Sequence, residues 1–150
     1  MTRFIITLDQ ASAFVLKAMN ETLGGEIFIP KIPSVRITDL ATAMAPNCRQ
    51  EVVGIRPGEK VHELMIGTDD SRNTLETDSG YVLLPQKAFE QRNGNYANAR
   101  PCVNEFEYSS GTNSHFLTVE EIRNLLPSIE KKTENLRMPV WSEAPSSVYE

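Results

Sequence analysis

The sequence predicts a mixed α/β chain, an α+β fragment and not a complete doubly wound domain. Three observations lead there. Two strand–helix alternations open the chain and resemble the end of a doubly wound sheet. Short strands and one further helix come after them. The opening strands are too few to form a parallel sheet buried on both faces, so the beginning of such a sheet is expected to be missing. The chain has 150 residues and a 40% apolar fraction, enough for a modest core.

Residues 3–6 read as a short strand. Thr7 then caps a helix, because Thr7-Leu8-Asp9-Gln10 has the capping-box form in which Thr and Gln side chains each satisfy an orphan backbone N–H. Ala11, Phe14, Val15, Ala18 and Met19 come next at helical spacing and give one apolar face. Gly24-Gly25 is expected to stop this helix. Residues 26–29 form a strand closed by Pro30, and residues 35–37 are extended. Thr38 or Asp39 is expected to cap a second helix, with Leu40, Ala43 and Met44 on one face and Pro46-Asn47 after its end.

Residues 51–55 read as another strand, running into the turn Arg56-Pro57-Gly58-Glu59 and a short helix over 60–65. A polar connection over 68–73 leads to a hairpin, with strands at 74–77 and 81–84 around Asp78-Ser79-Gly80. Residues 86–104 show no period and read as an irregular loop; 105–109 alternate like a strand. Thr118-Val119-Glu120-Glu121 is a second capping box, and Val119, Ile122, Leu125 and Leu126 make an apolar stripe that Pro127 is expected to end. Beyond it lies a polar, Pro-containing segment with a lone Trp141, expected to be a flexible tail or a segment that docks on a partner subunit. The domain reading is therefore 1–126 structured and 127–150 tail.

Composition excludes several classes. A net charge of −5 with no basic stripe argues against a nucleic-acid binder. Two distant cysteines, Cys48 and Cys102, make no disulfide framework and no CxxC metal site. His62 and His115 have no metal-ligand spacing, and the acidic pairs Asp69, Asp70 and Glu76, Asp78 lack the glycine and spacing of a calcium loop, so no metal is expected. No apolar run approaches the ~20 residues that span a bilayer, and there is no signal-peptide core, so no membrane association and a cytoplasmic location are expected.

The motifs that bear chemistry are few. There is no GxGxxG and no GxxxxGK[ST], and none of Tyr81, Tyr96, Tyr108 and Tyr149 has Lys four residues on, so no acid/base pair of the short-chain dehydrogenase kind is present and no catalytic residue is assigned. Arg3 and Arg56 stand at strand ends, where α/β folds place ligand contacts. Their planar donors suit a diphosphate; from composition alone each reads first as a surface arginine in an ion pair. Glu59 can accept from ribose hydroxyls or stand as a solvated acid beside Lys60. His62 and Glu63 are given no role.

Several blocks carry a specific resemblance. Residues Met1-Thr2-Arg3-Phe4-Ile5-Ile6-Thr7-Leu8, the run 25–34, Ile37-Thr38-Asp39-Leu40, Ala45-Pro46-Asn47-Cys48, Gly54-Ile55-Arg56-Pro57-Gly58-Glu59-Lys60, Arg72-Asn73-Thr74-Leu75-Glu76, Tyr108-Ser109-Ser110-Gly111-Thr112-Asn113 and Phe116-Leu117-Thr118-Val119-Glu120-Glu121 resemble, in order, the inverting UDP-N-acetylglucosamine 4,6-dehydratases. Ile5 stands where that family commonly has tryptophan. The resemblance covers about residues 1–126 and implies the C-terminal, substrate-binding part of an extended short-chain dehydrogenase/reductase, with the N-terminal Rossmann half absent. It implies NADP in the intact enzyme and none bound by this chain alone. It implies that Arg3 and Arg56 grip the diphosphate of a UDP-sugar and that Glu59 contacts the uridine ribose. It further implies a lyase acting in bacterial surface-glycan or flagellin-sugar biosynthesis, inactive as this chain alone. A related capsular UDP-sugar 4-epimerase fragment, or a non-catalytic nucleotide-sugar binding or oligomerisation module, are the alternatives. A separate Rossmann-half chain or a second copy are the expected protein partners, since the apolar faces of the first two helices are expected to be left uncovered.

Overall fold

The computed structural model describes residues 1–86, 96 and 98–133, with side chains in the last helix described as far as residue 126. The elements in order are β1 (Thr2–Phe4), α1 (Leu8–Glu21), β2 (Ile27–Pro30), β3 (Ser34–Arg36), α2 (Ile37–Met44), β4 (Leu64–Ile66), a 3₁₀ turn (Asp70–Asn73), β5 (Thr74–Glu76), β6 (Gly80–Leu83), β7 (Arg100–Pro101), β8 (Tyr108–Ser109) and α3 (Val119–Thr133). The chain is thus mixed α/β. Its sheets differ from the parallel layer that the strand–helix alternation predicts. β1 pairs with β3, β4 with β8, and β2-β6-β5-β7 form a four-stranded sheet, every ladder antiparallel. Among the described residues the parallel contact is a single bridge, Ser34 to Phe116.

Local signals hold where both partners are close in sequence. Thr7 Oγ1 accepts the Gln10 N–H at 3.3 Å, and the Gln10 amide oxygen accepts the Thr7 N–H at 3.0 Å. Thr118 and Glu121 repeat the box at the start of α3. The β5–β6 hairpin forms as predicted, with Leu75 opposite Val82. The α1 stop differs. The helix ends at Glu21, with Thr22 already extended, and Gly24 (φ +117°) and Gly25 (φ +91°) form the turn beyond it.

That turn is held by Glu26, whose carboxylate accepts from the Thr22 hydroxyl (2.7 Å) and from the Leu23 (2.9 Å) and Gly24 (2.7 Å) amides. Desolvation pushes the carboxyl up, but these bonds together outweigh it and hold it at about 2, against an ordinary 4.5. A depressed carboxyl stabilises the fold above its unfolded value, and the contribution is lost as pH falls through the folded one. Glu26→Gln is therefore expected to lower stability at pH 7 by about 1 kcal/mol after allowance for solvent screening. Denaturant melts should show the gap between parent and variant closing as pH falls from 4.5 towards about 2.

Four further expectations are corrected. α2 starts at Ile37 and not behind a Thr38 or Asp39 cap: its N-cap is Arg36, which makes no side-chain cap bond, and the Ile37 N–H bonds to the Met1 carbonyl at 3.2 Å instead. Residues 51–55 form no strand, because no neighbouring strand pairs with them; Val52 is 92% and Val53 80% exposed. The short helix over 60–65 does not form, because neighbours draw its backbone outward: the Val61 carbonyl accepts the Thr2 N–H, the Glu63 carbonyl accepts the Ser110 N–H, and Leu64–Ile66 pairs as β4. α3 continues through Pro127 to Thr133, so proline removes one N–H from the ladder without ending the helix. Residues 87–95 and 97 of the irregular loop, and 134–150 of the tail with Trp141, lie outside the described residues.

Among the described residues the core is three small clusters. Ile29, Ile66, Tyr81 and Tyr108 join the four-stranded sheet to the β4–β8 pair. Leu75, Val82, Leu84 and Tyr96 lie beneath the hairpin. Val35, Ala43, Leu117 and Ile122 hold α2 and α3 to β3. α1 buries no residue completely: Val15, Leu16 and Met19 are more than half exposed. The uncovered apolar face expected of the first helix is present; α2 is largely covered by α3, although Met44 stays exposed.

Candidate functional site

The turn Arg56-Pro57-Gly58-Glu59 is set by its own residues. Proline fixes φ at the second position and Gly58 supplies φ +81° at the third, the pattern of a type II turn. The Glu59 N–H donates to the Arg56 carbonyl at 3.0 Å, and the Glu59 carboxylate accepts the Arg56 N–H at 3.1 Å. Both ends of the turn are thereby closed, and the whole of residues 51–60 is exposed. Among the described residues the Arg56 guanidinium has no hydrogen-bond or ion-pair partner. One Glu59 oxygen is spent on the turn and the other is open to solvent.

Arg3 reaches the same place from β1. Its Nη2 donates to the Lys60 carbonyl at 2.9 Å, directly after the turn. Its Nη1 donates to the carbonyls of Thr2 (2.7 Å) and Val61 (3.4 Å), and Nε faces the Glu63 carboxylate at 3.7 Å. Arg3 is therefore fastened to the residue that follows the turn bearing Arg56 and Glu59. The Arg3 fork is nonetheless largely committed to backbone oxygens. Of five guanidinium N–H groups, three donate to carbonyls and a fourth points to Glu63, which leaves one Nη2 hydrogen outward. Of the pair, Arg56 has the guanidinium open to a ligand.

Two residues given no role by sequence turn out to build this corner. Glu63 accepts the Phe4 N–H at 2.7 Å and partners Arg3. His62 Nδ1 lies 2.8 Å from the Thr2 hydroxyl, which lies 2.8 Å from that of Ser110. Their partners in β1 are about sixty residues distant, so no local pattern announced them.

Elsewhere the chemistry is quiet. Burial pushes the Tyr81 and Tyr96 phenols up to about 12 and the Cys102 thiol upward, so these groups stay protonated near neutral pH. A cavity of about 530 Å³ is lined by Lys31, Glu76, Asp78 and Arg100 on the four-stranded sheet, away from Arg3 and Arg56. Its lysine is neutralised by Glu76 at 2.7 Å. Among the described residues no cluster of three or more His, Cys, Asp or Glu could hold a metal, and no helix is long and apolar enough to cross a membrane.

The model of the family described as "Polysaccharide biosynthesis protein" matches residues 1–85. The chain belongs to that family. Within it, the chain is similar to the UDP-N-acetylglucosamine 4,6-dehydratase (inverting) of Campylobacter jejuni, 40% identical over 136 residues, covering 87% of this chain and 41% of the relative. It is 28% identical over 145 residues to the UDP-glucose 4-epimerase of Rickettsia akari, covering 91% of this chain and 41% of that protein. Among solved structures it is similar to Pen from Bacillus thuringiensis, with TM-score 0.71 and 30% identity, covering 87% of this chain and 39% of the other. The chain spans about two fifths of the length of the curated relatives it matches. The motif Arg56-Pro57-Gly58-Glu59 and β1 both fall inside the segment that the polysaccharide biosynthesis family model matches.

Proposed function

We propose that this chain is the nucleotide-sugar-binding portion of a UDP-N-acetylglucosamine 4,6-dehydratase of the inverting type, the C-terminal part of an extended short-chain dehydrogenase/reductase acting in the cytoplasm. A UDP-sugar would be held at the corner between β1 and the exposed turn. Arg56 would supply the principal charge to the diphosphate, Arg3 its one outward N–H, and Glu59 its open oxygen to the ribose. The observation that carries the reading is the bond from Arg3 to the Lys60 carbonyl, directly after the turn that bears Arg56. The 40% identity to the dehydratase supports the substrate class. The epimerase similarity, over 91% of the chain, supports a 4-epimerase portion as the second reading.

NADP is the cofactor that the family implies, and the described residues do not fit it. Gly24 and Gly25 lie beyond the C-terminal, negative end of α1, the wrong end of a helix for a pyrophosphate. No step through NADP is therefore assigned to a residue of this chain. A separate Rossmann-half chain would supply the cofactor site, and the exposed face of α1 is available to it or to a second copy of this chain.

Calorimetry with UDP-N-acetylglucosamine tests the reading. Arg56→Ala is expected to weaken binding by about 1–3 kcal/mol, the loss of a hydrogen-bonded charge. Unchanged affinity in the variant refutes the role, and wild-type binding weaker than ~1 mM refutes an independent binding module.

A further inference from the structure

We infer that His62 and Glu63 are positioning residues of the nucleotide-sugar site, fastening the Arg56–Glu59 turn to β1 so that Arg56 and Arg3 face one ligand. The inference rests on the functional reading above and adds to it the pair of side chains that hold the corner together.

The turn itself is exposed and makes few bonds to the rest of the chain, so its place is decided by the anchoring of the next four residues. Residues 60–63 meet β1 through six contacts: the Thr2 N–H and Arg3 Nη1 to the Val61 carbonyl, Arg3 Nη2 to the Lys60 carbonyl, the Phe4 N–H and Arg3 Nε to the Glu63 carboxylate, and the Thr2 hydroxyl to His62. Three of these six use side chains of the strap, His62 and Glu63. The other three are backbone acceptors that any sequence would offer. Specificity for this alignment therefore comes from the side-chain pair.

The direction of the hydroxyl chain follows from pairing every buried donor. Ser110 is fully buried, and its Oγ has two neighbours, the Glu63 N–H and the Thr2 hydroxyl, each at 2.8 Å. The amide can only donate. Thr2 Oγ1 is the acceptor within reach of the buried Ser110 proton, so pairing that proton sends it to Thr2 and the Thr2 proton to His62 Nδ1. His62 is thus the tautomer with its proton on Nε2, its Nδ1 serving as acceptor. The ring is seated against Gly111: a Cβ there would lie 2.7 Å from its Cγ and Nδ1. Glu63 acts on both sides at once, holding the β1 backbone through Phe4 and the Arg3 guanidinium through Nε.

The test uses the full chain, UDP as the probe, and calorimetry with circular dichroism to establish folding. His62→Ala and Glu63→Ala should each weaken UDP binding roughly tenfold, the scale for loss of a hydrogen bond that orients a charged group. His62→Asn should recover most of the loss, since its Oδ1 stands where Nδ1 accepted, while His62→Gln should not. Nitrogen NMR of the wild type should show Nδ1 unprotonated and Nε2 protonated. Gly111→Ala, which displaces the ring and deletes no polar group, should mimic His62→Ala and serves where the latter fails to fold. Unchanged UDP affinity in folded Ala variants overturns the inference, as does an Nδ1-protonated ring or equal behaviour of Asn and Gln. A wild-type chain that binds no UDP overturns the functional reading, and the inference with it; a binding wild type with indifferent variants overturns the inference alone.

Discussion

Ile122→Ala should cost the chain about 3–4 kcal/mol of stability. Ile122 is 0% exposed and packs with Val35, Ala43 and Leu117, with Ile5, Leu40 and Leu125 around them. This cluster holds α3 to α2 and both to β3, so the deleted carbons leave a cavity at a junction of three elements. The helix cannot close the gap by sliding: its first turn is fixed by the Thr118–Glu121 box, and the Leu117 N–H is bonded to the Ser34 carbonyl at 2.9 Å. Partial relaxation places the loss in the upper part of the usual range. For a chain of this length it should lower the melting temperature by roughly 10 °C. Urea unfolding monitored by far-ultraviolet circular dichroism checks it, and a loss below about 1 kcal/mol would mean that α3 is not docked through this residue.

The second large effect is expected at Gly80. It opens β6 opposite Pro30 of β2, and a Cβ there would fall inside contact distance of the Ile29 carbonyl oxygen, with the Pro30 Cα at 3.3 Å. The obstacle is backbone, so no side chain can rotate out of the way. The strands must part, and with them the cluster of Ile29, Tyr81 and Tyr108. Gly80→Ala is expected to cost about 3 kcal/mol, at the upper end for overpacking. Gly67→Ala is the control: its nearest neighbours would be 3.8 Å away and its φ is ordinary, so stability should change by less than about 0.5 kcal/mol. Equal melting temperatures for the two variants would contradict a backbone clash at Gly80.

The candidate site was legible in its types and not in its arrangement. Arg3, Arg56 and Glu59 stand out in the sequence as cations expected at strand ends and an acid after Pro-Gly, although the strand expected before Arg56 does not form. In the fold Arg3 bonds the Lys60 carbonyl, next to the turn that bears Arg56. Folding also narrows the roles open to them, since Arg3 gives most of its donors to backbone carbonyls. His62 and Glu63 escaped notice because their meaning lies in Thr2, Phe4 and Ser110, far away along the chain.

By itself the sequence determined the capped starts of α1 and α3, the hairpin of β5 and β6, and the Pro-Gly turn. In each, donor and acceptor lie within a few residues, so a local pattern specifies the bond. Tertiary structure decided the antiparallel pairing, the failure of residues 51–55 to become a strand, and the replacement of a helix at 60–65 by a strap along β1. A strand needs a partner, and a strap needs an anchor. Both are supplied by residues far along the chain, whose approach costs loop-closure entropy that only the assembled core repays.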